Sequence, residues 1–373
     1  MIKNKELVLI TGGAGFIGSH LADALVKDGY RVRVLDNLKP PTHNGKLPDW
    51  FNKKTQFIKG DVRNKKDWVK ALKGVDFVFH LAAYMDYHLD FGTYFDANAK
   101  STALLYEIIL ENKLPIKKVV VASSQSLYGE GKYKCSRHGI FYAGPRPENQ
   151  LMQHMWEVKC PVDGREAALL AEKETDETHP QIPYGISKLA AEKTCLALGK
   201  IYNIPSVALR FSIVQGSRQS FRHFYSGALR DFSVRALTGR TIVMQEDANQ
   251  IRDFVNVHDV ISAHLTVLKN KKADFEVFNV GIGKKTKVRD LAKIVCRLAK
   301  VPFKPIISGM FRINAPRHSL MDISKLKKLG WRPIHSLEDS VKEYLDWVRN
   351  YPEAISYWDK TYKKMEREKI LKT

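Results

Sequence analysis

The sequence is poor in cysteine, with four in 373 residues, at positions 135, 160, 195 and 296. They are too few and too unevenly spread for a disulfide scaffold, which excludes the small secreted domains that depend on one. No apolar run approaches the roughly 20 residues that a membrane-crossing helix needs. Nothing repeats at a fixed period, and no tract is of low complexity. The amino terminus, Met1-Ile2-Lys3-Asn4-Lys5-Glu6, runs straight into an apolar segment and leaves no room for the core of a secretion signal, so a cytoplasmic protein is expected. Acidic residues are in deficit: 61 Lys and Arg against 40 Asp and Glu give a net charge of +21. Such an excess can serve nucleic acid or an anionic membrane surface. Its densest stretches, Lys269 to Lys272, Lys284 to Lys287 and Tyr362 to Lys372, are short and lack the interleaved aromatics of a single-strand-binding groove. The expectation is a solvated lysine-rich surface with no nucleic-acid partner, which also favours a doubly anionic small molecule.

What is present is a regular alternation. Leu7 to Thr11, Val32 to Leu35, Phe57 to Lys59, Val75 to Leu81 and Lys118 to Ser123 read as buried strands. Helical patterns lie between them, near Phe16 to Lys27, Lys65 to Leu72 and Phe95 to Asn112. That order predicts a parallel, doubly wound α/β sheet. From Lys132 to about Pro183 the periodicity gives way to Cys, His, Pro and Gly, as in an insertion. A helix over Tyr184 to Tyr202 and a strand over Ser206 to Phe211 follow.

The turn after the first strand reads Thr11-Gly12-Gly13-Ala14-Gly15-Phe16-Ile17-Gly18. Glycines at this spacing allow a tight turn, backbone approach to a pyrophosphate and close packing of helix on strand, while the helix amino terminus offers N–H groups to phosphate. Asp36, at the end of the second strand, can accept both hydroxyls of an adenosine ribose and repels a 2′-phosphate, which favours NAD over NADP. Asp61-Val62 and His80-Leu81-Ala82-Ala83 end the third and fourth strands, where ligands bind in open α/β sheets. The reading is a Rossmann domain over residues 1–205, with an inserted Cys/His-containing loop at 132–183, and a smaller α/β substrate region over 206–373.

Tyr184-Gly185-Ile186-Ser187-Lys188 sets a phenol and an ammonium four residues apart, on one helix face. A tyrosine is a poor base at its ordinary pKa of about 10, and a neighbouring cation favours the phenolate. Ser124, ending the fifth strand, is placed to hydrogen-bond a reacting oxygen. Tyr-x-x-x-Lys is common on surface helices, and the dinucleotide turn upstream is what turns it into a catalytic candidate.

Adding Asn98, Tyr128-Gly129, Arg252-Asp253-Phe254-Val255 and Asn279-Val280-Gly281 to these positions, the chain resembles the extended short-chain dehydrogenase/reductase family, the nucleotide-sugar epimerases and dehydratases. The resemblance implies an NAD retained through turnover, held by Gly12, Gly15, Phe16, Ile17, Gly18, Asp36, Asn37, Asp61, Val62, Leu81, Ala82, Ala83, Asn98, Tyr184 and Lys188. It implies a nucleotide-diphosphate sugar as substrate, met by Tyr84, Ser124 and Ser126, with Arg252 and Arg317 matching arginines that hold the diphosphate. It further implies a homodimer formed through the helices at Phe95 to Asn112 and Tyr184 to Tyr202. Members that dehydrate carry an acidic pair after the Ser/Thr, whereas this chain has Ser124-Gln125-Ser126, more like the 4-epimerases. Tyr184 would then take the C4 hydroxyl proton, and a transient 4-keto sugar would be reduced again on its other face. Ile213 stands where relatives carry a substrate-contacting Asn, and Tyr84, Asp86, Tyr87 and His88 are expected to face the sugar.

Within the insertion, Cys135-x-x-His138 and Cys160-x-x-Asp163 have the spacing of zinc-knuckle turns. The pattern fits a structural zinc, and equally a metal-free loop holding two packed thiols; similar insertions in related epimerases carry Cys in place of Asp163. His20, His258 and His264, with Cys195 and Cys296, read as packing residues. Two other functions compete with epimerisation: decarboxylation of a nucleotide-linked uronic acid, which would need a cation for the carboxylate, and a non-catalytic sensor or RNA-binding protein that keeps the fold. Intact Ser124, Tyr184 and Lys188 argue against the last.

Overall fold

A strand covered by helices on both faces has no polar side to present, so it reads as an unbroken apolar run. β1 (Leu7–Thr11) is of this kind, buried at every residue. The computed structural model describes residues 6–86, 89–222 and 227–357. Tyr87, His88 and the basic stretch Tyr362 to Lys372 lie outside them. β1, β2 (Arg31–Asp36), β3 (Gln56–Lys59), β4 (Phe77–His80) and β5 (Lys118–Ser124) form a seven-stranded sheet with the strands Ser206–Phe211 and Val277–Val280. Across the sheet the order is Val277–Val280, Ser206–Phe211, β5, β4, β1, β2, β3, and every neighbouring pair is parallel. The order reverses at β1 and β4, the place where an open sheet leaves a crevice for ligand. Register brings the functional ends level there: Thr11 pairs with Leu35 on one side and His80 on the other.

Alternate residues of β1 enter different cores. Val8 and Ile10 join Leu21, Leu25 and Phe79, whereas Leu7 and Leu9 join Trp68, Leu105 and Ile109. The covering helices include α1 (Phe16–Lys27), α2 (Lys65–Leu72), α3 (Phe91–Tyr94), α4 (Ser101–Glu111), the short α5 (Glu148–Met152) and α6 (Pro183–Ile201). Asn64 caps α2 by accepting from Lys66 N, and proline opens α6 where no N–H is needed. The helix expected over Phe95 to Asn112 is less regular: Phe95–Lys100 is a π-helical turn between α3 and α4, the kind of bulge that gathers at functional sites.

The expected boundary at residue 205 needs correction, because two strands of the main sheet come from beyond it. The helix Val257–Lys269 also packs against α1. Three other carboxyl-terminal helices, Gly227–Leu237, Val288–Ala299 and Leu337–Val348, share their own core of Leu229, Phe232, Leu291, Val295 and Tyr344. The insertion is likewise ordered, as an antiparallel sheet in which β6 (Lys132–Cys135) lies between β7 (Gly139–Tyr142) and β8 (Ala168–Leu169). Among the described residues no helix is long and apolar enough to cross a membrane.

Candidate cofactor and substrate site

The glycine turn follows β1 and bends under close constraint. Gly12 has φ of +69°, and a Cβ there would lie 2.9 Å from the backbone of Ala82. A Cβ on Gly18 would press into the Gly12 carbonyl and come within 2.7 Å of Gly13 Cα. Helix, turn and the strand end after β4 are therefore packed backbone to backbone, leaving the α1 amino terminus open to an anion. Asp36 ends β2 with its carboxylate accepting from Ala14 N at 3.1 Å and Leu38 N at 2.9 Å. This oriented carboxylate beside a helix amino terminus fits a ribose and pyrophosphate. Gly15 is the N-cap of α1, and Phe16 and Ile17 begin the helix. Phe16 and Gly15 line a water-sized cavity of about 10 Å³ together with Arg218 and Arg222, two arginines near the turn that no local motif announces.

Asn37 and Asp61 meet at the neighbouring strand end: Asn37 Nδ2 donates to Asp61 at 3.1 Å, and Arg63 makes two bonds to the same carboxylate at 2.9 and 2.8 Å. Those partners overcome the effect of burial and hold the Asp61 carboxyl far below the usual range. Val62 is buried, and its carbonyl accepts from Trp68 Nε1.

Behind Leu81, Ala82 and Ala83 runs a chain whose proton positions can be deduced. Ser101 spends its proton on Ala97 O at 2.6 Å, so His80 Nε2–H donates to Ser101 Oγ at 2.9 Å. His80 Nδ1 then accepts from Thr11 Oγ at 2.7 Å, and Thr11 in turn accepts from Ala82 N at 3.1 Å. Burial, reinforced by the nearby Lys188, lowers the His80 pKa to about 3 and keeps it neutral for this role. Asn98, expected at the cofactor, is held by protein partners on the segment after β4 and on α6. Its amide is spent on Tyr84 N, Tyr84 O and Ser187 Oγ, at 2.8, 3.0 and 2.9 Å, so it clasps the segment after β4 to α6. The hydroxyl of Tyr84 is directed to Asp90, 3.0 Å from either oxygen.

Ser124 ends β5, and its Oγ accepts from both Ser126 N at 3.1 Å and Ser126 Oγ at 2.9 Å. Its own proton is left to point elsewhere. The start of α6 sits directly on this turn: a Cβ on Gly185 would lie 2.8 Å from Ser126 O, so the helix residue next to Tyr184 is packed against the turn that follows Ser124. One turn along, Lys188 is buried, and loss of solvent lowers its pKa to about 8 against the opposing pull of Glu192. Glu192 is itself held by Arg210, at 2.6 and 2.9 Å, and by Ser123 Oγ at 2.6 Å. Gln125 replaces an acid with an amide whose oxygen accepts from Ser319 at 2.6 Å and Ser212 at 3.2 Å. Ile213 is half-buried against the carboxyl-terminal core.

The two arginines expected at the diphosphate have different fates. Arg252 is half-buried, bonded to the carbonyls of Ile251, Pro316 and Arg317, with its pKa brought down to about 10 by burial. Arg317 is wholly buried and neutralised from within: Glu246, Asp247 and Glu157 accept from its guanidinium at 2.8, 2.7 and 2.5 Å. These carboxylates engage its guanidinium in this structure. Arg312, in the same loop, stands close enough to Arg252 for the two charges to repel, with Glu246 and Glu130 acting in the opposite sense. Sequence reasoning passed over it. The four metal candidates, Cys135, His138, Cys160 and Asp163, gather in the insertion.

The sequence pattern of the NAD dependent epimerase/dehydratase family matches residues 8–147 and 162–281. The chain is 30% identical over 348 residues to dTDP-L-rhamnose 4-epimerase of Burkholderia thailandensis, covering 91% of this chain and 94% of that protein. Among solved structures it is similar to the UDP-glucose 4-epimerase of Thermotoga maritima with UDP-glucose, at a TM-score of 0.74 and 28% identity over 92% of this chain and 99% of the other. It is also similar to the UDP-glucuronic acid 4-epimerase of Bacillus cereus in complex with NAD, at a TM-score of 0.73 and 27% identity with the same coverage. A pattern match over more than half the chain agrees with the glycine turn and the oriented Asp36: the protein belongs to the NAD dependent epimerase/dehydratase family.

Proposed function

We propose that the protein inverts C4 of a nucleotide-diphosphate sugar through a transient 4-keto sugar. The observation that carries this reading is the Ser124, Tyr184 and Lys188 group with no carboxylate in the turn beside it, Gln125 being tied to Ser212 and Ser319. NAD, when bound, supplies the redox partner that oxidises C4 and then reduces it. Tyr184 takes the C4 hydroxyl proton in the first half and returns it in the second. Lys188 favours the phenolate by charge. Ser124, receiving two hydrogen bonds from Ser126, directs its own proton to the sugar oxygen and steadies charge building there. Arg252 and Arg312 flank the diphosphate. The relatives named above are 4-epimerases of nucleotide-linked sugars, which supports the same reaction here.

The reading includes a homodimer, supported by the exposed Phe91, Phe95 and Ile186 on elements that pack together around α6. It also includes a cytoplasmic setting, in keeping with four unbridged cysteines. Incubation of the purified enzyme with UDP-, dTDP- and GDP-linked sugars, with resolution of the products, should give a C4 epimer of unchanged mass. Release of CO₂ or water from the preferred substrate would instead establish a decarboxylase or dehydratase.

A further inference from the structure

The insertion is short of core. Its buried apolar cluster comprises Tyr133, Ala143, Val158 and Leu169, completed by Leu320 from outside. A module this small ordinarily needs a staple. Its two hairpins meet tip to tip. The first is β6 and β7, where Cys135 pairs with Gly139; in the second, Cys160 N donates to Arg165 O at 2.7 Å and Ala167 N to Val158 O at 2.9 Å. Each tip carries the same device. A cysteine is followed three residues later by a second ligand type, and then by a glycine of positive φ: +81° at Gly139 and +71° at Gly164. Each sulfur accepts from the backbone N–H groups two and three residues on, Arg137 and His138 for Cys135, Val162 and Asp163 for Cys160. The two thiols are buried, with the imidazole and the carboxylate outermost.

One ligand atom from each of Cys135, His138, Cys160 and Asp163 lies within 4.8 Å of all the others. His138 Nδ1 is 3.6 Å from Cys135 Sγ, 3.4 Å from Cys160 Sγ and 3.6 Å from Asp163 Oδ2. For a tetrahedral zinc with its usual bond lengths to sulfur, nitrogen and oxygen, the S···N edge is about 3.5 Å and the N···O edge about 3.4 Å. The observed edges are those of a zinc tetrahedron, a coincidence that a loop merely packing two thiols has no reason to produce. We propose that Cys135, His138, Cys160 and Asp163 form a structural zinc site that locks the two hairpins of the insertion together. Four protein ligands close the coordination shell, so the ion takes no part in chemistry. Of the four ligands, Cys160 alone falls in the segment 148–161 that the family pattern leaves unmatched.

The locked module reaches the substrate loop. Glu130 accepts from Arg317 N at 2.5 Å, Glu157 from Arg317 Nε at 3.0 Å, and Arg146 donates to Ala315 O at 3.0 Å. Zinc therefore steadies the loop that carries Arg312 and Arg317, a consequence that rests on the proposed epimerase reading; the metal site itself does not.

The test begins with metal analysis of full-length enzyme purified without chelator or nickel resin and supplied with excess zinc before desalting. About one zinc per chain is expected, falling below about a tenth in Cys135→Ser and Cys160→Ser. Asp163→Cys should keep the full zinc and release it to a chelator more slowly. If the serine variants fail to fold, cobalt added to stripped wild-type enzyme replaces them as the test, and thiolate-to-cobalt charge-transfer absorption is expected. Folded wild-type enzyme holding less than about a tenth of an equivalent, or a Cys135–Cys160 disulfide seen as the loss of the mass of two hydrogen atoms, overturns the site. Removing zinc should raise KM for the nucleotide sugar several-fold with bound NAD unchanged. An unchanged KM in stripped enzyme leaves the metal site standing and overturns its link to the substrate loop.

Discussion

Replacing Lys188 by methionine should abolish activity and yet stabilise the protein. The ammonium is buried on α6, and burial lowers its pKa from the ordinary 10.5 to about 8. Since the folded-state value lies below the unfolded one, the charge destabilises the fold fully at pH below about 8, and the penalty fades as pH rises toward 10.5. At pH 7 this corresponds to about 3 kcal/mol, and at pH 10 to under about 1 kcal/mol. Methionine fills similar space without the charge. For a chain of 373 residues, an unfolding entropy of about 2.1 cal/mol/K per residue turns the pH 7 gain into about 4 °C in Tm. Scanning calorimetry of NAD-free wild type and Lys188→Met at both pH values measures it, alongside kcat, which should fall at least about a hundredfold. A variant less stable than wild type at pH 7, or an advantage that persists unchanged to pH 10, would show that native contacts compensate the ammonium and that its burial is no cost.

Tyr184→Phe should lower kcat by about 10²- to 10⁴-fold with bound NAD unchanged, measured by product analysis and cofactor content; a loss of under tenfold assigns the proton transfer to another group. Gly18→Ala places a methyl within 2.7 Å of Gly13 Cα, so the enzyme should purify with less NAD and a lower Tm, and full cofactor occupancy would contradict the packing argument. Arg317→Met strands the carboxylates of Glu157, Glu246 and Asp247 and should cost about 3 kcal/mol or more at pH 7 in a denaturant titration. Its partner Glu157 has a pKa lowered to about 2 by His318 and Arg317, against burial. That stabilisation is present above the ordinary value of 4.5 and is lost as pH falls toward 2, so the gap between wild type and variant should narrow in acid. A gap that does not change with pH would locate the effect in packing alone.

The parts of the site that lie within a few residues of a strand end were legible, because one short segment contains their whole cause. The turn from Gly12 to Gly18, Asp36 at the end of β2 and Ser124 at the end of β5 follow from strands whose apolar runs announce themselves. The four residues of the proposed zinc site could be picked out for the same reason, each pair being three residues apart, and only the meeting of the two hairpins needed the fold. What escaped was the matching of charges over distance. Arg312 and Arg317 stand five apart in one loop and look equally suited to a diphosphate, yet Arg317 is consumed by Asp247, Glu246 and Glu157, which lie 70, 71 and 160 residues away. Asn98 is similarly claimed by Ser187, 89 residues on. A buried ion must find its partner or forfeit several kcal/mol, and that demand is met by topology rather than by neighbours in sequence. A motif can therefore nominate an arginine for an anion site, but the nomination holds only if the fold has not already neutralised it.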